Sequence, residues 1–158
     1  MRLISILALV VIVAGAVTPA SAGRSFGIQG GYGFDLDWFI GARAELETAK
    51  LFKNSRSAVD FNWYFPGGSF NYFDFNVNYL WPLMTVIEGS NSNIYIGAGL
   101  NVGRGWIDNI DNSSNWEFGL NLLGGFNYHL GEKELFFEGG YNLFSDFDQW
   151  HIKTGFLF

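Results

Sequence analysis

The sequence predicts an all-β fold, with eight antiparallel strands in up-and-down order closed into a barrel that crosses a membrane. Three observations carry this expectation. Residues 150–158 read Trp-His-Ile-Lys-Thr-Gly-Phe-Leu-Phe, so apolar or aromatic positions alternate with polar or small ones, Thr154 alone interrupting the apolar row. Period-two alternation puts the two sets on opposite faces of a strand. The same alternation returns along the chain between clusters of turn-forming residues. Composition points the same way: aromatics make up 19%, charged residues only 15%, and there are 21 glycines but three prolines. A soluble domain averages ~25% charged residues, so this chain has exchanged charge for aromatic surface.

The amino-terminal stretch predicts export. Met1-Arg2 is a short positive start, residues 3–13 are apolar, and Ala20-Ser21-Ala22 is a small-x-small cleavage site. That is the pattern of a secretory signal peptide, expected over 1–22, with one barrel domain over 23–158. With no cysteine in the chain, neither lipid attachment at Cys nor a disulfide is expected. Beyond the leader no stretch approaches the ~18 apolar residues of a membrane helix. A membrane-spanning chain must then satisfy its backbone amides as a closed barrel.

Alternation between turn signals marks strands at 24–34, 39–52, 55–65, 70–83, 93–106, 115–130, 134–144 and 149–158. The turn signals are Asp35-Leu36-Asp37, Lys53-Asn54, Pro66-Gly67-Gly68-Ser69, residues 88–92, residues 108–114, Gly131-Glu132-Lys133 and Ser145-Asp146. Strands of about ten residues, even in number, suit a membrane barrel.

The two faces differ in kind. In the sixth strand Trp116, Phe118, Leu120, Leu122, Gly124, Phe126, Tyr128 and Leu130 share one face, and Glu117, Gly119, Asn121, Leu123, Gly125, Asn127 and His129 the other. At the same parity elsewhere the polar face gathers Arg43, Glu45, Glu47, Arg56, Asp60, Asn62, Asp74, Asn76, Asn78, Glu138, Asn142, His151 and Lys153. It also holds most strand glycines, among them Gly27, Gly31, Gly97, Gly99, Gly103, Gly119, Gly125, Gly140 and Gly155. A water-exposed surface has no need of so much glycine, whereas the narrow lumen of an eight-stranded barrel does. The predicted barrel is therefore inside out, with Val59, Phe61, Trp63, Phe73, Phe75 and Tyr79 toward lipid. The rival is a soluble periplasmic barrel with the apolar face inward.

Trp38, Trp63, Trp106, Trp116 and Trp150 fall near one end of the strands, and Phe26, Tyr79, Trp81, Tyr128 and Phe158 near the other. They read as two aromatic girdles at the headgroup levels. An even strand number puts both termini on the periplasmic side and the odd-numbered connections outside.

With these residues in place, the chain resembles the small eight-stranded outer-membrane barrels of the OmpX/Ail and OmpA transmembrane-domain type. Trp150, Ile152, Phe156 and Phe158 match the terminal aromatic strand read by that family's insertion machinery. The resemblance implies a bacterial outer-membrane location, contact with outer-membrane lipid and lipopolysaccharide, and a monomer. Adhesin members tend to carry long extracellular loops, and the outer connections here are short.

Two groups of residues are candidate sites. In the lumen, Arg43, Glu45, Asp60, Asp74, Glu117, Asn127, Glu138 and Lys153 form an expected polar cluster, with Tyr95 nearby. Counting back through the hairpins sets Lys153 beside Gly140 and diagonal to Glu138, and Asn127 opposite Glu138. Buried charges must be paired, so the favoured reading is a structural plug, and the alternative is a gate. Lumen acids outnumber lumen bases, so any leak is expected to favour cations. On the outer rim, Asp35, Asp37, Asp108, Asp111, Asp146 and Asp148 are a candidate cation or ligand surface, although Asp is also a favoured turn residue.

Other chemistry is disfavoured. The net charge of −6 opposes nucleic-acid binding. The only histidines, His129 and His151, lack the His-x-Ser pattern of lipid A deacylases. His151 is expected at the outer rim within reach of Ser145 and Asp146, a loose set of triad residue types. No cofactor and no metal site is expected. The resulting expectation is a structural or surface-interaction protein with a largely plugged polar lumen, ahead of a narrow cation-preferring pore and a lipid-modifying enzyme.

Overall fold

The computed structural model of the protein describes residues 23–47, 55–85, 92–107, 115–144 and 148–158. The expected signal peptide over 1–22, the Lys53-Asn54 turn, and Asp108, Asp111, Ser145 and Asp146 lie outside them. Eight strands follow one another: β1 (Arg24–Gly33), β2 (Asp37–Glu47), β3 (Arg56–Tyr64), β4 (Phe70–Thr85), β5 (Asn93–Ile107), β6 (Asn115–Leu130), β7 (Lys133–Phe144) and β8 (Asp148–Leu157). Each pairs antiparallel with the next, and β8 closes the barrel on β1.

The stagger follows from the registers. A row of partners leaving β1 at Gly33 runs through His151, Gly140, Leu123, Gly97, Leu80, Arg56 and Glu47. It comes back to the start of β1 at Gly23, whose carbonyl accepts the Glu47 N–H, ten positions from Gly33. Such a shear tilts the strands by roughly 40° and leaves an interior just wide enough for side chains to fill.

The barrel is inside out, as the faces of the sequence predict. Ile28, Trp38, Ile40, Leu100, Phe118 and Trp150 point outward and are all more than 60% exposed. Arg43, Asp60, Asp74, Asn76, Asn101, Asn121, Glu138 and Lys153 point inward and are buried. Outside, Trp63, Phe73, Trp106 and Trp116 pack ring to ring at centroid distances of 5.6–6.2 Å, near the end of the barrel away from the termini. Tyr79 and Trp81 pair at 4.7 Å toward the end that carries the termini.

Several expectations need correction. The lumen is not polar throughout. Leu36, Phe39, Tyr64, Tyr72 and Phe144 form an apolar cluster at the far end, and Ala58, Leu80, Tyr95 and Leu123 form a second one. Leu36 belongs to a predicted turn, yet its side chain is buried, because the short β1–β2 connection folds it over the mouth. Asp37 starts β2 rather than ending the turn, at a φ of 64° that Asp tolerates better than most residues.

Two registers differ by two residues. Lys153 stands directly opposite Glu138, and His151 is the partner of Gly140. Gly125, not Asn127, faces Glu138, while Asn127 faces Phe136. The β6–β7 hairpin closes on two residues, Gly131 and Glu132, with Leu130 paired to Lys133. Gly131 supplies the positive φ, 68°, that a tight hairpin needs at its first loop position. A turn shorter by two slides the register by two and keeps every side chain on its face.

Candidate functional site in the barrel lumen

Inward-facing glycines make room for the large lumen side chains. A Cβ on Gly125 would lie 2.6 Å from the Tyr95 ring, and one on Gly155 would lie 2.7 Å from the Phe136 ring. Gly140 lies in the same way under the His151 imidazole. Replacing these glycines would force the rings to move, so glycine on this face is a packing requirement.

Around these rings runs a lattice of alternating charge. Arg43, on β2, is wholly buried; its Nε donates to Glu45 Oε1 at 2.8 Å and its Nη2 pairs with Glu138 Oε1 at 2.7 Å. Asp60 lies 3.7 Å from the same guanidinium, which also stacks 4.4 Å from the Phe136 ring centre. Lys153, on β8, donates to Asp60 Oδ2 at 2.8 Å and pairs with Glu138 Oε2 at 2.9 Å. Toward the terminal end Arg56 joins Glu45 at 2.7 Å and Glu134 at 2.8 Å, and His129 Nε2 meets Glu134 at 3.0 Å. The Tyr95 hydroxyl donates to Glu138 at 2.7 Å. Every carboxylate in the lattice touches two basic side chains, the arrangement that low-dielectric burial demands.

Beyond the lattice the buried polar side chains are mostly amides. Asp74, expected in the charged cluster, stands apart and accepts from Asn62 at 2.9 Å, Tyr64 at 3.0 Å and Asn76 at 2.7 Å. Asn121 donates to Asn76 and Asn78 at 2.8 and 2.9 Å, and Asn101 donates to Asn76 at 2.5 Å. Gln29 donates to Asn62 at 2.6 Å. A longer bond, Asn78 to Asp60 at 3.4 Å, ties this amide ladder to the lattice.

The structure thus brings together Arg43, Glu45, Asp60, Glu138 and Lys153 from the expected cluster. Asn127 lies to one side, donating to Glu134 at 2.8 Å and accepting from the Asn93 N–H. Glu117 lies on β6 toward the far end, opposite Gly103. Arg56 and Glu134, each at the start of its strand, enter the lattice although the expected cluster omitted them. Their lumen parity was the available signal. His151 is buried in the lumen at 7% exposure rather than presented on the rim.

On the outer rim Asp35 and Asp37 are exposed, and Asp148 accepts from the Tyr141 hydroxyl at 2.7 Å. Among the described residues no group of three or more acidic, His or Cys side chains is placed to hold a metal ion. Trp150, Ile152, Phe156 and Phe158 all lie on the outer wall, 39–63% exposed.

No protein-family model matches the chain, and no curated protein matches it. Solved structures do. The N-terminal β-barrel domain of Pseudomonas aeruginosa OprF superposes with a TM-score of 0.61 at 16% identity, over 86% of this chain and 96% of that one. Neisserial surface protein A (NspA) superposes with a TM-score of 0.61 at 17% identity, over 85% of this chain and 94% of that one. At such identities the likeness is one of fold: the chain shares with both a closed, eight-stranded antiparallel barrel.

Proposed function

We propose that this is a small bacterial outer-membrane barrel with a structural or surface-interaction role and a lumen plugged by its own side chains. The observation that carries the reading is the alternating lattice from Arg56 to Lys153, which lines the terminal half of the lumen with paired charges. An open pore would leave these groups to water and need no such mutual pairing. The apolar wall supports residence in lipid, and the barrel would meet outer-membrane lipid and lipopolysaccharide there as a monomer. Trp150, Ile152, Phe156 and Phe158 would be read by the insertion machinery. Any partner would then be met by the far-end hairpins, with Asp35, Asp37 and Asp148 giving that rim an acidic character.

The test is single-channel conductance of refolded protein in a planar bilayer, after heat-modifiable gel migration has verified the folded barrel. A heat-modifiable, silent protein is the expected result. Steady cation-selective openings would replace the plug with a narrow pore. Protein that stays soluble without detergent would overturn the membrane reading itself.

A further inference from the structure

Between the charged lattice and the far-end aromatic cluster lies an enclosed cavity of about 10 Å³, measured as space open to the centre of a water molecule. Its lining includes Asn78, Asn121, Leu123, Asn142, His151 and Lys153. Three of these side chains carry buried polar atoms with no hydrogen-bond partner in the protein: the acceptors Asn121 Oδ1 and Asn142 Oδ1, and His151 Nδ1, an acceptor when Nε2 carries the ring proton. A fourth has a donor to spare. The Lys153 ammonium has three N–H groups, and two are used by Asp60 and Glu138.

Burying an acceptor without a partner costs on the order of a hydrogen bond or more, and the three residues that carry these atoms all line one small space. We propose that this cavity is a binding site for a single water molecule that bridges Lys153 to His151. The size is right, since one water needs about 10–15 Å³ measured this way and two to four polar partners. The chemistry also balances. The water oxygen accepts the third Lys153 N–H, and its two protons go to His151 Nδ1 and to one asparagine oxygen, Asn142 or Asn121.

A monovalent cation would suit the acceptors, but the Lys153 ammonium on the same wall repels it. A halide would find acceptors where it needs donors. Water alone satisfies both signs. The bridge extends the polar column from the charged half of the lumen to the one titratable imidazole of the far half.

The experiment uses the refolded, detergent-solubilised barrel. A high-resolution crystal structure should show one ordered water within hydrogen-bonding distance of both Lys153 Nζ and His151 Nδ1. In solution, ¹⁵N-histidine labelling gives two imidazoles, from His129 and His151, and His129→Asn separates them. The His151 Nδ1 resonance should sit at a hydrogen-bonded position and move to that of a free nitrogen in Asn142→Leu, whose side chain occupies the cavity. A folded barrel with a dry cavity and an Nδ1 resonance at the free position would overturn the proposal, as would Nδ1 bonded to a protein atom. Should Asn142→Leu fail to fold, the wild-type density and resonance decide alone.

Discussion

The two halves of the lumen handle buried polarity differently. Toward the termini, four carboxylates (Glu45, Asp60, Glu134 and Glu138) are interleaved with Arg43, Arg56 and Lys153. Toward the far end, the buried carboxylate Asp74 is held by three neutral donors, and most of the other buried polar side chains are amides. Charge in the first half is shared, because each missing cation takes one of two basic partners from two or three anions. Polarity in the second half is divided into small, separable bonds. The same barrel radius therefore encloses one brittle region and one tolerant region.

Arg43→Met is the hardest break. It removes the one cation that reaches Glu45, Asp60 and Glu138 together, leaving Arg56 and Lys153 to serve the lattice. The expected cost is about 3–5 kcal/mol, the range for stranding a buried ionic partner. Urea unfolding from lipid vesicles, followed by tryptophan fluorescence, measures it. A loss below 1 kcal/mol would mean that the lattice relaxes or hydrates freely, and the plug reading would weaken with it.

Lys153→Met should cost less, about 3 kcal/mol, because it takes a partner from two carboxylates, Asp60 and Glu138, where Arg43→Met takes one from three. The same variant sharpens the comparison in a second way. If the lattice is what closes the lumen, current through Lys153→Met should exceed that through the wild type in a planar bilayer. Equal silence in both would move the seal to the aromatic cluster of Phe39, Tyr64, Tyr72 and Phe144 at the far end.

In the tolerant half, Asn121→Leu gives up donations to Asn76 and Asn78 while conserving shape. The expected loss is about 1–2 kcal/mol, that of neutral hydrogen bonds with partners left buried. Its effect and that of Arg43→Met should be measured side by side. A larger loss for Asn121→Leu would reverse the contrast between the halves.

How much of this was legible in the chain follows from what period two encodes. The side of the sheet on which Arg43, Asp60, Glu138 or Trp150 lies depends on parity alone, so faces, strand number and the inside-out barrel follow from the sequence. Which inward residue meets which depends on turn length. A two-residue hairpin at Gly131-Glu132, in place of a longer loop, moved Glu138 from Asn127 to Gly125 without changing any face. Contacts across the barrel, such as Arg43 to Glu138 or Arg56 to Glu134, depend on shear and closure, which sum every register around the ring. No single strand carries that information. Phe39, Tyr95 and Phe136 share the polar parity, and only the matching glycines, Gly31, Gly125 and Gly155, hinted that rings would fill the lumen.

The smallest effect is expected where glycine faces outward. Gly125, on the lumen side, has Tyr95 and Glu138 within 2.8 Å of where a Cβ would stand, whereas Gly139 has nothing within 4 Å. Gly139 neighbours Glu138 in β7, so it sits at the height of the lattice but on the other side of the wall. Gly139→Ala should therefore shift stability by no more than about 0.5 kcal/mol, the range for substitutions that touch no special feature. The same urea titration checks it. A loss comparable to that of Asn121→Leu would show that the outer wall, too, is closely packed at this point, and that the contrast between brittle and tolerant regions is not confined to the lumen.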